Sequence, residues 1–357
     1  MIRIGILGAA GIAPQALVRP ARRRSDLQVL AVAARSLSSA RSFASEHDIP
    51  RAYEGYPALL ADPDIDLVYV ALPPALHAGW SIEALRAGKH VLCEKPFAMD
   101  AEQARGAVAI ARERGLHLIE AFHDHYHPVI AELLSIIGSG ALGRITRLDA
   151  SFTADNPYSP TSIRHVPELG GGALMDLGCY PAHWIRTLAA TEPIVERATH
   201  EANPLGADLT IDADLRIPDG PMAGSAAHLH ASMAPGVAFA APVEITGERG
   251  MLRIDNLVLP HRGHSITSMI GGVSRTWTVA GRETYDHELD AVVTALSTGR
   301  PADTEQGDIV ATMELLDAIY AKARVARPPS SEKTPSYAVT GTCTRSGASA
   351  AVEGDRR

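Results

Sequence analysis

Short apolar runs alternate with longer amphipathic stretches through roughly the first 120 residues of the chain. The apolar runs predict β-strands at Ile2–Leu7, Leu27–Ala34, Asp66–Leu72, Lys89–Cys93 and Leu116–Ala121. The stretches between them have helical spacing and predict helices at Ile12–Arg24, Leu37–His47, His77–Ala87 and from Asp100 to about Arg114. Strands and helices that alternate in this way predict an α/β fold built on a doubly wound parallel sheet.

The pattern changes in the second half of the chain. After a strand near Arg144 and a glycine cluster that leads into a helix, alternating segments predict a large, mostly antiparallel sheet at Asp208–Ile217, Ala226–Ser232, Val237–Thr246 and Met251–Asp255. Two late helices are predicted, at Asp286–Ser297 and Asp308–Arg324. The sequence therefore predicts a first domain at 1–122, an α+β domain at 123–326 and a polar, disordered tail at 327–357. One face of the large sheet would be buried by a second copy, as a homodimer or homotetramer.

Composition narrows the class of protein. The chain has 357 residues, with 41 acidic and 33 basic side chains, and this balance argues against a nucleic-acid partner. The basic cluster of Arg19, Arg22, Arg23 and Arg24 is interpreted as the charged end of the first helix. No apolar run is long enough to predict a membrane span.

The cysteines and the first residues bear on the cellular compartment. Cys93, Cys179 and Cys343 have spacings that fit neither a disulfide framework nor a zinc site, so a reducing, cytoplasmic setting is expected. Residues 1–18 superficially resemble a secretory leader. However, the first predicted strand starts at Ile2, and the glycines that follow it suit a nucleotide-binding turn, so we expect this segment to belong to the first domain.

The first strand-to-helix turn is a candidate cofactor site. It reads Gly8-Ala9-Ala10-Gly11-Ile12-Ala13, so Gly8 fills the first glycine position of the dinucleotide fingerprint while Ala10 and Ala13 replace the other two. Helix amides would still face the phosphates. At the end of the second strand, Arg35 and Ser36 stand where NAD-binding sequences carry a carboxylate. They favour NADP(H) over NAD(H), while a ligand-free turn and a solvated arginine remain the alternatives.

Two further stretches carry candidate catalytic chemistry. Lys95 ends a predicted parallel strand, where doubly wound sheets bind ligands, and can polarise a substrate oxygen. Asp176, Tyr180 and His183 are spaced as one polar stripe on a helix, after a sharp turn at Gly170–Gly172. The alternatives are that Lys95 is an ordinary surface lysine at a strand end and that Tyr180 packs in the core without a catalytic role.

Four motifs together resemble the glucose–fructose oxidoreductase / inositol dehydrogenase family, Gfo/Idh/MocA. They are the Gly8 turn, Cys93-Glu94-Lys95-Pro96, Glu120-Ala121-Phe122 with His127-Pro128, and the segment from Gly170 to Tyr180. The resemblance covers residues 1 to about 326, and Tyr180 places the chain in the branch that resembles dimeric dihydrodiol dehydrogenase and NADP-dependent xylose dehydrogenase. It implies a Rossmann domain, an α+β domain, and hydride transfer between a nicotinamide and a carbohydrate-like alcohol or carbonyl.

The resemblance also implies roles for individual residues. Tyr180 would be the general acid/base, Lys95 would orient the substrate and lower the pKa of Tyr180, and Asp176 would hydrogen-bond a substrate hydroxyl. Further contacts are implied for the cofactor at Pro73, His77 and Glu94, and for the substrate at Arg164 and His183. The chain departs from the family pattern at Ala75, where asparagine is common, and at His125, where arginine is common.

Several alternatives stay open. The substrate could be a cyclic trans-dihydrodiol, the reaction could be NAD-dependent glycoside hydrolysis, or the protein could bind the cofactor without catalysis. His123, His125 and His127 would share one face of an extended strand, which suits a zinc ligand set, whereas the family interpretation assigns them to packing and expects no metal.

Overall fold

The computed structural model describes residues 1–325, so the predicted tail at 327–357 lies outside the described residues. The first half contains a six-stranded parallel sheet with the order β3-β2-β1-β4-β5-β6. Its strands are β1 Ile2–Leu7, β2 Leu27–Ala34, β3 Arg51–Glu54, β4 Leu67–Val70, β5 His90–Cys93 and β6 Leu118–Glu120. The predicted doubly wound sheet is confirmed, and its strand order reverses between β1 and β4, where such sheets bind ligands.

The helices of this half follow the predicted pattern. A π turn at Pro14–Val18 continues into α1 at Arg19–Arg22. The other helices are α2 Leu37–Glu46, α3 Tyr56–Leu60, α4 Pro74–Arg86 and α5 Ala101–Arg114. Asp100 caps α5 as predicted, because its carboxylate accepts a hydrogen bond from the backbone N–H of Gln103 at 2.9 Å. The pattern did not predict β3 or α3, which lie in a short segment interrupted by Gly55 and Pro57.

The second half forms an eight-stranded sheet with the order β14-β13-β12-β11-β7-β10-β9-β8, in which only β7 and β10 pair in parallel. The strands are β7 Ile145–Thr153, β8 Ile194–Ala202, β9 Asp208–Arg216, β10 Ala226–Ser232, β11 Val243–Gly247, β12 Gly250–Ile254, β13 Ile266–Ile270 and β14 Val273–Trp277. The predicted strand at Val237–Thr246 is wrong in its first half. Pro242 has no N–H to donate to a ladder, so the ordered strand begins only at Val243.

The remaining helices are α6 Pro128–Gly138, α7 Cys179–Ala189, α8 Thr284–Thr298 and α9 Gly307–Ala323, and a π turn at Leu174–Gly178 leads into α7. Although α8 comes late in the chain, its Leu289 and Val292 are buried in one cluster with Ile4, Leu17 and Ile119 of the first half. This late helix therefore covers one face of the first sheet, while α9 contacts both α5 and α7.

The predicted basic cluster does not form a free cationic surface. α1 ends at Arg22, and Arg23 pairs with Asp286 and Glu283 at the start of α8. Arg24 pairs with Asp26 and Asp290. These arginines therefore fasten the first helix to α8.

The face of the eight-stranded sheet that turns away from α7 is polar. Cross-strand and same-strand ion pairs line it, namely Arg147 with Asp149, Arg253 with Glu244, and His228 with Asp214. Within residues 1–325, no helix has both the length and the apolar character needed to cross a membrane.

Candidate active site

A cleft opens where the carboxyl ends of the first sheet meet the turn that leads into α7. Its cavity measures about 560 Å³. The predicted site residues that line it are Ile12, His77, Glu94, Lys95, Arg164, Asp176 and Tyr180. The topology therefore brings predicted site residues together from stretches that lie far apart in the sequence.

The turn after β1 is tight and requires a glycine at its first position. Gly8 has a φ of +104°, and a Cβ at this position would overlap the carbonyl oxygen of Ala71, so only glycine fits. Ala13 is fully buried where the fingerprint has its last glycine, whereas Ala9 and Gly11 are exposed beside the helix start. The turn is therefore formed correctly with alanines at Ala10 and Ala13.

Arg35 and Ser36 follow β2 at the rim of the sheet. Arg35 is exposed, and among residues 1–325 no carboxylate pairs with it. Ser36 caps α2, since its hydroxyl accepts a hydrogen bond from the N–H of Ser39 at 3.2 Å. A guanidinium without an ion-pair partner, next to a helix start, is the donor set that a phosphate monoester needs.

His77 is a scaffold residue of the cleft. Its ring nitrogens lie 2.9 Å from the Pro96 carbonyl oxygen and 2.6 Å from the Leu72 carbonyl oxygen, and the side chain is 1% exposed. Burial lowers the pKa of His77 to about 4. His77 thereby ties the loop after β4 to the loop after β5, while Pro73 precedes α4 and its neighbour Pro74 reaches the cleft.

Glu94 and Lys95 directly follow β5. Glu94 accepts a hydrogen bond from the hydroxyl of Tyr69 at 2.5 Å, and burial raises the pKa of its carboxyl. Burial opposes the charge of Lys95, but the negative groups around it, Asp176 among them, outweigh that effect and raise its pKa. The Lys95 ammonium is therefore positive at neutral pH.

Asp176 interacts with two cations of the cleft. Lys95 Nζ donates to the backbone carbonyl of Asp176 at 2.7 Å and lies 3.7 Å from Oδ1. Arg164 Nε donates to Asp176 Oδ2 at 2.9 Å, with its side chain 53% exposed at the cleft mouth. The carboxylate thus holds both cations of the cleft in place.

Tyr180 lies at the floor of the cleft. It is 5% exposed and packs edge-on against Phe122 and Phe152, with centroids 5.6 Å and 5.5 Å away. Lys95 Nζ lies 4.9 Å from the Tyr180 ring centroid and so stands over the ring. The expectation of a lowered pKa is wrong for the protein without ligands, because burial raises the pKa of Tyr180 well above its ordinary value. Tyr180 is therefore a protonated phenol at neutral pH.

His183 does not belong to the cleft, which corrects its assignment to the substrate. Its Nε2 lies 3.2 Å from Asp308 Oδ2, and its ring stacks on Phe122 with a centroid distance of 4.2 Å. His183 and Tyr180 both lie in α7, three residues apart, but the His183 ring is directed to Asp308 and Phe122 and not into the cleft.

Asp208 anchors the turn that presents Asp176. Its carboxylate accepts hydrogen bonds from the N–H of Leu174 at 2.7 Å and from the hydroxyl of Tyr320 at 3.0 Å. Gly172 has a φ of +132°, and a Cβ there would overlap the Asp208 carboxylate. The glycine cluster thus serves a close approach within the protein, and no short motif marked Asp208.

The histidine-rich segment after β6 forms a turn, neither the strand nor the helix considered for it. Among the described residues, no group of three or more His, Cys, Asp or Glu side chains is placed to hold a metal ion. His123 lines the cleft, whereas His125 and His127 point elsewhere. Sequence reasoning therefore identified His123 only as a metal candidate, and it missed Phe152, Asn156 and Tyr285 of the cleft wall.

Two family models match the two halves of the chain. Residues 2–122 match the oxidoreductase family with an NAD-binding Rossmann fold, and residues 130–253 match the Gfo/Idh/MocA C-terminal domain. The chain belongs to the Gfo/Idh/MocA family. It is therefore an NAD(P)-dependent oxidoreductase with the fold that the motifs implied.

Characterised relatives act on sugars and diols. The chain is 31% identical to D-xylose 1-dehydrogenase (NADP(+)) 2 of Haloferax volcanii, over 89% of this chain and 96% of that protein. It is 38% identical to a dTDP-3,4-didehydro-2,6-dideoxy-alpha-D-glucose 3-reductase of Streptomyces violaceoruber, over 74% and 75%. It is 34% identical to trans-1,2-dihydrobenzene-1,2-diol dehydrogenase of Sus scrofa, over 65% and 67%.

The fold is also similar to that of a solved structure. A 3-ketoreductase from Actinomadura kijaniata, crystallised with NADP and TDP-benzene, superimposes with a TM-score of 0.81 at 29% identity. The match covers 90% of this chain and 97% of that chain.

Proposed function

We propose that this protein is an NADP(H)-dependent oxidoreductase that interconverts an alcohol and a carbonyl on a small, carbohydrate-like substrate. The observation that carries the proposal is the convergence of Lys95, Asp176 and Tyr180 in one cleft at the carboxyl ends of the first sheet. A lysine, a carboxylate and a buried phenol supply charge, orientation and a transferable proton to an oxygen-bearing substrate.

The residues of the first turn fit a dinucleotide. Gly8 and the exposed backbone of Ala9, Gly11 and Ile12 would face the pyrophosphate, and Arg35 with Ser36 would face a 2′-phosphate. When bound, the nicotinamide would supply the hydride chemistry at the alcohol or carbonyl carbon of the substrate. The uncompensated charge of Arg35 supports NADP(H) over NAD(H).

The side chains of the cleft divide the work on the substrate oxygen. In the reductive direction, Tyr180 Oη gives its proton to the carbonyl oxygen, and the resulting phenolate remains beneath the positive Lys95. In the oxidative direction the phenolate takes the proton of the substrate hydroxyl. Asp176 binds both Lys95 and Arg164, and Asp176 and Arg164 can hydrogen-bond neighbouring hydroxyl groups of the substrate.

A nicotinamide absorbance assay with a substrate panel tests this proposal. Aldoses, polyols and trans-dihydrodiols would be offered with NADP(+), and keto-sugars with NADPH. We expect reduction or oxidation of the nicotinamide with at least one neutral polyhydroxy compound. Release of free sugar from a glycoside with no net absorbance change would contradict the proposal in favour of glycoside hydrolysis.

The open face of the eight-stranded sheet is the proposed contact between subunits. Its ion pairs, such as Arg147 with Asp149, can exchange partners with a second copy of the same face. We expect a homodimer or homotetramer in light scattering after size-exclusion chromatography, and a monomeric mass would contradict this. A cytoplasmic location is part of the same proposal and is supported by the buried free thiols of Cys93 and Cys179.

A further inference from the structure

His123 is the side chain that contacts the hydroxyl of Tyr180. Its Nε2 lies 3.2 Å from Tyr180 Oη, and the two ring planes are inclined at 63°. His123 follows β6 and is 4% exposed, so no bulk water competes for this contact. Among residues 1–325, no other side chain or backbone group makes a hydrogen bond to Tyr180 Oη.

The protonation of His123 follows from its surroundings. Burial first, and the charge of Lys95 second, lower the pKa of His123 to about 3, so the ring is neutral. A neutral imidazole has one N–H, on either Nδ1 or Nε2. Nδ1 is buried and has no hydrogen-bond partner among the described residues. A proton on Nδ1 would therefore be a buried, unpaired donor, whereas a proton on Nε2 has the Tyr180 oxygen as its acceptor.

We propose that His123 is a positioning residue for the proton transfer of Tyr180, because its Nε2–H donates to Tyr180 Oη. This inference rests on the proposed function, in which Tyr180 exchanges a proton with the substrate oxygen. Since Oη accepts from His123 on the buried side, its own O–H turns toward the cleft. When that proton leaves, Nε2–H remains as a donor to the phenolate oxygen.

This role differs from that of Lys95. The Lys95 ammonium stands over the Tyr180 ring, at 4.9 Å from the centroid, and is hydrogen-bonded to the Asp176 carbonyl. Lys95 therefore acts on the phenolate through the electric field, while His123 acts through a direct bond to the oxygen. Tyr285 of α8 packs against the His123 ring with a centroid distance of 4.2 Å and limits its rotation.

The titratable and charged groups that face this pair come from every surrounding element. Those that act on the charge of Tyr180 or His123 are Glu94, Lys95, Asp124, Cys179, His261, Arg262 and Tyr285. All of them remain unchanged when only His123 is substituted, so a difference between variants at this position reports the lost donor.

Three variants separate the hydrogen bond from packing. His123→Phe keeps an aromatic ring and removes the donor, whereas His123→Gln can place an amide N–H where the imidazole has Nε2. His125→Phe is the matched control, because His125 lies in the same turn but outside the cleft, with Nε2 3.4 Å from Asp303.

The first readout is the pH dependence of kcat/KM for alcohol oxidation, which requires the Tyr180 phenolate. In His123→Phe we expect the ascending limb to move up by about one pH unit or more, because a hydrogen bond to a charged oxygen is lost. At a pH below that limb the rate falls about tenfold, while NADPH affinity stays within about twofold of wild type. His123→Gln restores the wild-type limb, and His125→Phe does not move it. Superimposed profiles for wild type and His123→Phe would overturn the proposal.

The second readout needs no turnover. Nitrogen NMR of the full-length protein labelled with ¹⁵N-histidine, with the His123 signals assigned by their absence in His123→Gln, identifies the tautomer. We expect a neutral ring protonated on Nε2, and a ring protonated on Nδ1 or on both nitrogens would overturn the proposal. Wild-type turnover in Tyr180→Phe would instead refute the proposed function, and the tautomer would still decide the hydrogen bond.

Discussion

Lys95 keeps its positive charge at a buried position, although burial by itself lowers the pKa of its ammonium. Its side chain is 14% exposed, and the neighbouring negative groups, Asp176 and Glu94 among them, compensate the cost of that burial. Tyr180 lies under the Lys95 ammonium, but burial outweighs this cation, raises the pKa of the phenol and keeps it protonated in the protein without ligands. At the scale of single residues, the cleft therefore holds a fixed cation next to a movable proton.

Arg35 determines the cofactor preference in this account. Replacing it by alanine is expected to weaken NADPH binding about tenfold, or about 1.4 kcal/mol, because a phosphate loses its charged donor. NADH has no 2′-phosphate, so its affinity should stay within about twofold. Fluorescence titration of both nucleotides measures this. Arg41→Ala removes an exposed arginine of α2 and serves as the control. An equal loss for NADPH and NADH in Arg35→Ala would contradict the assignment.

At the scale of elements, the short π turn before α7 determines where Asp176 lies in the cleft. It holds Asp176 at the cleft while α7 carries Tyr180, and Asp208 of β9 anchors its first residue. The position of Asp176 in the cleft therefore depends on how firmly this turn is anchored.

The anchoring of this turn can be tested at Asp208. In Asp208→Asn, an NH₂ group replaces one carboxylate oxygen and faces a hydrogen-bond donor, either the Leu174 N–H or the Tyr320 hydroxyl. This loss should lower the free energy of unfolding by about 1–3 kcal/mol. We expect a lower melting temperature together with a lower kcat, because the turn that carries Asp176 loses its anchor. Asp212→Asn, at a half-exposed position of the same strand, is the matched control. A melting temperature equal to that of wild type would count against this role.

The element pattern could be predicted where a segment carries its own signal. The predicted bounds of β1, β2 and β10 coincide with those observed, because β1 and β2 are largely buried apolar runs and β10 alternates regularly between buried and more exposed positions. The break at Pro242 and the brief β3 were missed, since a proline outweighs propensity locally and an edge strand depends on its neighbour.

The residues of the candidate site likewise divide into those that a local motif marks and those that it does not. Gly8, Lys95, Asp176 and Tyr180 lie in local motifs and could be identified from the sequence. His123, Tyr285 and Asp208 could not be assigned to the site, because contacts across long sequence distances bring them there. His183 was misplaced because its contacts with Phe122 and Asp308 cross long sequence distances and leave no signal in an amphipathic pattern.

At the scale of the whole molecule, the late helices return to the first sheet and join the halves. The backbone N–H of Glu120, at the end of β6, donates to the Thr304 carbonyl at 2.9 Å, and the Thr304 hydroxyl donates to the Glu120 carbonyl at 2.7 Å. The Glu120 side chain accepts a hydrogen bond from the Phe97 N–H, while its second oxygen has no partner among the described residues. This junction places a carboxyl group deep in the interior.

Glu120 therefore makes global stability depend on pH. Burial raises its pKa from 4.5 to about 8, so the folded protein holds a proton that the unfolded chain releases. This contribution is complete below pH 4.5 and is lost as the pH rises through about 8. We expect the unfolding free energy of wild type to fall relative to that of Glu120→Gln across this window, in urea titrations at several pH values. A constant difference between the two proteins would show that Glu120 does not titrate there.

The most direct test of the central claim is the turnover of Tyr180→Phe with the best substrate of the panel, measured beside its NADPH affinity. The account predicts a loss of kcat of about two to four orders of magnitude, because the proton donor is removed, with NADPH affinity near that of wild type. Turnover equal to that of wild type would contradict the assignment of Tyr180 as the acid/base of the reaction.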